Sequence, residues 1–325
     1  PKPTGDQVGE PHEIAVVGWF KQQSARKIDP LLHPRSKADL GKMREVLGGA
    51  LEVMIGRSLP QPGESTFARR TQEDKGDYLI ERGTTTCRGD PIETMFLYPK
   101  NSSHRVVLWL TLKGEASLIQ ADGRLSAAAR RMLNRGYVIA CLQLYLAGTT
   151  QNPNVYAADK RKSAGTYNGA YEGFAGFHYG YNPTLFAERV RDALALIGQI
   201  RDDKAQPDRQ ILVAGVEGAG VIAAVATALG RNAVQQLACD TEGFRFAQLD
   251  DVWDARFLPG AAKYGDVPAM LSLCAPVETT VIAETGDTAA GVAAVFAVAK
   301  SKVELLGATG AAPVDVVVNA LAGRK

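Results

Sequence analysis

Glu217 stands where the local pattern would place a nucleophile. Ile211-Leu212-Val213-Ala214 reads as a short apolar strand, Gly215-Val216-Glu217-Gly218-Ala219-Gly220 as a sharp turn, and Val221-Ile222-Ala223-Ala224-Val225-Ala226 as the start of a helix. In a strand–turn–helix of this G-x-S-x-G type, flanking glycines hold a strained residue out toward backbone N–H groups and the positive end of the helix. A serine there would attack an ester carbonyl after losing its proton to a histidine. A glutamate has no such proton to lose. Three roles stay open for it: a relic in a retired pocket, a carboxylate nucleophile that forms an ester intermediate, or a general base or binding group for a polar ligand. The helix end behind it favours the charged form in all three.

Other groups that could assist are few. Of the four histidines, His12 and His33 lie in the N-terminal segment and His104 in a polar turn, all expected to be structural or solvated. His178 sits in Phe177-His178-Tyr179-Gly180-Tyr181, within a glycine- and tyrosine-rich stretch that could fold over the turn, although packing among tyrosines is its expected state. Glu284 and Asp287, in Glu284-Thr285-Gly286-Asp287, follow a strand-like run where an orienting acid belongs, and Asp287 before Thr288 also suits a helix N-cap. Glu242, Asp250, Asp251 and Asp254 form a second acidic group after an earlier strand. An oxyanion hole would use the Gly218 N–H and one from Leu112, Lys113 or Gly114, and an anionic Glu217 is expected to block those donors with its own carboxylate. The glycines at 215, 218 and 220 miss the dinucleotide-binding spacing, and no histidine or cysteine cluster suggests a metal, so no cofactor is expected.

The positioning elements follow from periodicity. Residues 1–35 read as an arm or linker around the apolar patch Ile14 to Phe20. Ser36 and Asp39 resemble a capping box, opening a helix over Leu40 to Ile55. Tyr78 to Arg82 and Ile92 to Tyr98 read as antiparallel lead-in strands around the turn at Arg88 to Pro91. Strands and helices then alternate, as in a parallel sheet covered on both faces. Strands are expected at Val106 to Leu110, Tyr137 to Leu142, Ile211 to Gly215, Val234 to Cys239, Thr280 to Ala283 and Val314 to Val318. Helices are expected at Leu125 to Leu133, Leu185 to Ile200, Val221 to Leu229, Val267 to Leu273 and Ala289 to Leu305. The stretch from Ala147 to Tyr181 is too long for an ordinary connection and reads as a lid or binding insertion. Residues 36–325 are thus expected to form a single α/β domain with an insertion at 147–181.

Composition excludes several classes. With 37 Lys and Arg against 35 Asp and Glu, and no basic run set among aromatics, a nucleic-acid partner is not expected. No apolar run is long enough to span a bilayer, so no membrane partner is expected either. The cysteines Cys87, Cys141, Cys239 and Cys274 are scattered and read as buried thiols. The chain opens on Pro1-Lys2-Pro3, as expected where processing or subcloning has removed an earlier start.

Several segments together resemble the α/β-hydrolase fold, and within it the bacterial acetyl-xylan-esterase-like and glucuronoyl-esterase-like branch. They are Leu32-His33-Pro34-Arg35-Ser36-Lys37-Ala38-Asp39-Leu40, Tyr179-Gly180-Tyr181-Asn182-Pro183, the turn at Glu217, and Phe257-Leu258-Pro259-Gly260-Ala261-Ala262-Lys263-Tyr264-Gly265-Asp266-Val267-Pro268. The resemblance spans roughly residues 30 to 322. It implies a doubly wound, mostly parallel sheet and a Ser-acid-His triad whose histidine follows the last strand. Here the tip is Glu217 and the tail from Ala320 to Lys325 holds no histidine. The chain therefore resembles a degenerate, serine-less copy, a pseudoenzyme with a binding or supporting role. The alternative is an active hydrolase using Glu217 as nucleophile or base. Implied partners are a polysaccharide or small ester ligand and a tandem active hydrolase domain, and the implied location is periplasmic or secreted. Lys113, Gly218, Tyr179 and Tyr181 are the expected binding groups, with Tyr156, Tyr167, Tyr171, Phe174 and Phe177 as further stacking candidates for sugar rings.

Overall fold

The strand that delivers Glu217 lies mid-sheet. The computed structural model describes residues 10–147, 178–308 and 310–323; the expected insertion at 147–181, with its aromatics before His178, lies largely outside them. Nine strands form one sheet: β1 (Ser65–Asp74), β2 (Tyr78–Cys87), β3 (Asp90–Pro99), β4 (Arg105–Leu110), β5 (Val138–Leu142), β6 (Gln210–Gly215), β7 (Val234–Asp240), β8 (Glu278–Ile282) and β9 (Val303–Leu306). Their spatial order is β1-β2-β3-β5-β4-β6-β7-β8-β9, antiparallel from β1 through the β3–β5 pair and parallel from β5 to β9. Successive connections leave β4 in opposite directions, so the crevice beyond its carboxyl end, beside β6, is the place where such sheets bind ligands.

Among the described residues, the longer helices are α1 (Glu10–Leu32), α2 (Lys37–Met43), α3 (Gly49–Ile55), α4 (Ala127–Asn134), α5 (Leu185–Arg201), α6 (Gly220–Gly230), α7 (Asp266–Leu273), α8 (Gly286–Ala299) and α9 (Pro313–Ala322). Side chains alternate between two cores, as the pleat requires. Val106, Leu108 and Leu110 of β4 meet helices α3 and α5 to α8, while Val107 and Trp109 meet α4 and α9 on the other face. The Ser36 hydroxyl caps α2 by accepting the Asp39 N–H at 3.1 Å. The expected long helix is α2 and α3 joined through a π-helical turn at Arg44–Gly48. The expected arm is helical from residue 10, and Ile28 of α1 is buried with Leu40, Met43 and Leu47.

Two expected elements are corrected and one strand is added. Val314 to Val318 is not a strand but part of α9: Pro313 sits in its first turn, Gly323 caps its end, and Val317, Val318 and Leu321 recur at helical spacing on the buried face. The last strand is instead β9, within the expected helix Ala289 to Leu305; α8 stops at Ala299 because Lys300 takes the left-handed conformation at φ 55°. The polar edge strand β1 was not expected at all, since its Ser-Thr-Phe-Ala-Arg-Arg-Thr-Gln-Glu-Asp sequence has no apolar alternation and owes its form to pairing with β2. No helix of the described residues is long and apolar enough to cross a membrane.

Candidate functional site

Backbone geometry at the turn is that of a tight elbow. Glu217 has φ 52°, a region that side-chain-bearing residues rarely adopt, and Gly218 follows at φ 85°. The glycines permit the approach of neighbouring chain. A Cβ on Gly220 would lie 1.8 Å from the Asp240 carbonyl oxygen, one on Gly215 2.4 Å from Ala223 Cβ, and one on Gly218 2.7 Å from Leu112 Cδ1. Leu110 of β4 pairs with Gly215 of β6, so the residues just past each strand, Thr111 and Glu217, emerge side by side.

The Glu217 carboxylate is held on both oxygens. Thr111 Oγ1 donates to Oε2 at 2.7 Å and Lys113 Nζ to Oε1 at 2.7 Å. Ser117, whose Oγ also accepts the Trp109 indole N–H at 3.1 Å, donates a further hydrogen bond. Burial opposes the charge of Glu217, but the bonds from Lys113, Ser117 and Thr111, together with the Lys113 charge, outweigh it and hold the carboxyl below its usual range. Its side chain is 20% exposed against 63% for Lys113, so solvent screens the pair and its worth is at most about 1 kcal/mol. Chemically, the group is a fixed, ion-paired carboxylate with a hydrogen bond on each oxygen.

Of the expected oxyanion donors, the Gly218, Leu112 and Lys113 N–H groups are engaged, but not by the Glu217 carboxylate as expected. The Gly218 N–H donates to Glu242 Oε1 at 2.9 Å. The Leu112 N–H donates to the Glu217 carbonyl oxygen at 3.3 Å, and the Lys113 N–H to Thr111 Oγ1 at 3.1 Å. The physical reason is direction: Thr111, Lys113 and Ser117 draw the Glu217 carboxylate toward the β4 side, leaving the Gly218 N–H to a carboxylate from the loop after β7. Beside that N–H is a cavity of about 280 Å³. Leu112, Phe186, Val221, Ile222 and Phe244 give it apolar walls, with Asp240, Glu242, Arg189 and Arg256 at their edge. Arg256 stacks over the Phe244 ring at 4.6 Å while bonded to Asp254.

Comparison with solved structures gives the same architecture. A putative acetyl xylan esterase from Bacteroides fragilis matches at TM-score 0.61 and 14% identity, over 90% of this chain and 81% of its own. A CE15 glucuronoyl esterase from Teredinibacter turnerae matches at 0.55 and 14%, over 91% of this chain and 88% of its own. A promiscuous CE15 esterase from a marine bacterial metagenome matches at 0.55 and 12%, over 87% and 91%. The chain has the α/β-hydrolase fold. No protein-family model matches it, and no curated protein does.

In α/β-hydrolases the acid and histidine of the triad come from loops after the later strands. Here Glu284 follows β8, wholly buried, and is spoken for: Arg245 donates to both its oxygens at 3.0 and 2.6 Å, and Thr241 Oγ1 donates at 2.6 Å. Asp287 is exposed in the first turn of α8; the N-cap position expected for it belongs to Thr285, because the helix begins at Gly286. No histidine follows β9 in the sequence. His178 lies in a helical turn at 178–181, its ring 5.0 Å from Tyr179 and 5.7 Å from Trp253. Tyr179 donates to the Val252 carbonyl at 2.9 Å, and Tyr181 is 88% exposed. The structure thus joins Glu217, Lys113 and Gly218, and gives His178, Asp287 and Glu284 other surroundings.

Sequence reading missed Thr111, Ser117, Asp240, Arg189 and Arg245. Only Thr111 carried a signal, as the first polar residue past the β4 run; the others gain meaning from the fold alone. Arg189, nearly fully buried, donates to the Tyr145 and Leu146 carbonyls at 3.0 and 3.1 Å and so fixes the cavity rim before Ala147. Half-buried Asp192, one helical turn on, accepts the Tyr145 N–H at 2.7 Å. Burial pushes its carboxyl from 3.8 up to about 7 despite that bond, with the Glu188 and Asp90 charges adding to the rise and Arg189 opposing it. The folded value exceeds the unfolded one, so this contribution to stability is complete below about pH 4 and is lost as pH rises through about 7. Asp192→Asn keeps an acceptor for Tyr145 and is expected to remove roughly 1–2 kcal/mol of wild-type stability loss between pH 5 and pH 8. Urea titrations at the two pH values check this, and an unchanged slope would assign the buried proton elsewhere.

Proposed function

We propose that this chain is a carbohydrate-esterase-like α/β-hydrolase domain without serine-type ester hydrolysis, kept for binding or for supporting an active partner domain. The ligand class is a polysaccharide or a small ester, and the partner, where domains occur in tandem, an active hydrolase. The observation that carries the reading is the Glu217 carboxylate bonded to Thr111, Lys113 and Ser117, with no imidazole among its partners. A carboxylate so held is a poor nucleophile, and a hole whose Gly218, Leu112 and Lys113 N–H groups are engaged offers little to a developing oxyanion.

Support for a sugar ligand is more general. Acetyl xylan and glucuronoyl esterases share the fold. The cavity, near the small end of the range for ligand sites, combines an aromatic wall at Phe186 and Phe244 with a polar edge, the mixture that sugar rings and hydroxyls use. Calorimetry with plain and acetylated xylan oligomers tests the binding half. Saturable heat, weakened about fivefold by Phe244→Ala, is expected, since stacking on one ring is worth about 1 kcal/mol. No heat with any polysaccharide fragment would end the binding reading.

A further inference from the structure

Glu242 is an exposed residue held in an unusual way. Two residues beyond the end of β7 its backbone takes φ 54°, and Asp240 Oδ1 accepts its N–H at 2.9 Å. A left-handed, non-glycine residue persists where its surroundings over-determine it. The result of this bend is to aim the side chain back at the elbow, where Oε1 accepts the Gly218 N–H at 2.9 Å. Both residues line the 280 Å³ cavity, as does Asp240, itself more than nine-tenths buried.

A carboxylate in that place does what an incoming anionic ligand would do. It takes the donor that follows the elbow residue and sits close to the amino end of α6, which begins at Gly220. Being tethered, it competes at a high effective concentration, and it adds a like charge, beside that of Asp240, that an anionic ligand must approach. We propose that Glu242 is an internal ligand that excludes carboxylates and other oxyanions from the elbow cavity, making it the specificity-determining residue of this pocket. The pocket is thereby reserved for uncharged, hydroxyl-bearing molecules, a consequence that rests on the binding role argued above. Arg256, on the same wall, does not reverse this, because its guanidinium is already bonded to Asp254.

The test follows the Gly218 amide by 1H–15N NMR as acetate is added at neutral pH and constant ionic strength. In the wild-type chain the resonance is expected to stay in place. In Glu242→Ala it should move saturably, with acetate affinity at least tenfold higher, and in Glu242→Gln, which keeps an acceptor but no charge, the response should be intermediate. Equal responses in wild type and Glu242→Ala, whether both bind or neither does, overturn the proposal. Should Glu242→Ala fail to fold, the wild type decides alone: its Gly218 amide proton must shift together with the Glu242 side-chain carboxyl carbon during acid titration, and independence of the two overturns the proposal. Gain of acetate binding without any binding of xylan oligomers would retire the carbohydrate reading and leave the anion gate standing.

Discussion

Replacing Arg245 with alanine is expected to cost about 3–5 kcal/mol of folding stability, the usual penalty for stripping one partner from a buried ion pair. Glu284 has no exposed side-chain surface, and Arg245 supplies bonds to both of its oxygens. Without the guanidinium, among the described residues only the Thr241 hydroxyl still donates to it, and the charge cannot reach water. The pair also joins two loops, since Arg245 lies beyond β7 and Glu284 beyond β8, so its loss should loosen the wall that carries Glu242 and Phe244. Urea unfolding measures the effect as a lower midpoint at unchanged slope. The paired replacement Arg245→Met with Glu284→Leu should recover most of the loss, because no unpaired charge remains. A fall of less than 1 kcal/mol for Arg245→Ala would mean that water enters the pair.

Gly220→Ala is expected to destabilise by about 3 kcal/mol or more, unusual for one added methyl group. The new Cβ would meet the Asp240 carbonyl oxygen at 1.8 Å and its carbon at 2.4 Å. Both are backbone atoms at the end of β7, so no rotamer change can relieve the overlap and the helix must move away from the strand. Leu112 stands 2.7 Å from a Cβ on Gly218, but there the near atom is the tip of a side chain that can turn aside. The Gly218 cost comes instead from its φ of 85°. Thermal or urea unfolding distinguishes the two, and a Gly220→Ala protein as stable as the wild type would contradict the close packing of α6 on β7.

The difference between these two glycines shows what could be read from sequence. The order Gly215, Gly218, Gly220 between an apolar strand and an apolar helix announced a tight turn, because only small residues let a helix start so close to a sheet. The central strands β4, β5 and β6 were equally visible as apolar runs, since strands buried on both faces need no alternation. At the margins the same logic failed. β1 is polar because its edge faces water, and α9 is rich in valine because one side packs on the sheet, so composition suggested neither correctly.

Within the site, residue types were visible and partnerships were not. Glu217 drew attention by its position, but that Thr111, Lys113 and Ser117 would hold it depends on the parallel register of β4 and β6. Glu242 lies 24 residues beyond the N–H it accepts, and the path between them is a helix and a strand whose lengths set where the acid returns. The imidazole is different: its absence after the last strand is a fact of sequence, and moving that strand from 314–318 to Val303–Leu306 leaves it unchanged.

Turnover of activated acetyl and methyl-glucuronoyl esters by the wild-type chain, measured beside Glu217→Gln and Glu217→Ser, addresses the central claim most directly. With the elbow carboxylate bonded on both oxygens and no histidine among its partners in the described residues, all three proteins should hydrolyse these esters no faster than buffer. Wild-type turnover that disappears in Glu217→Gln would contradict the account and make Glu217 a working catalytic group.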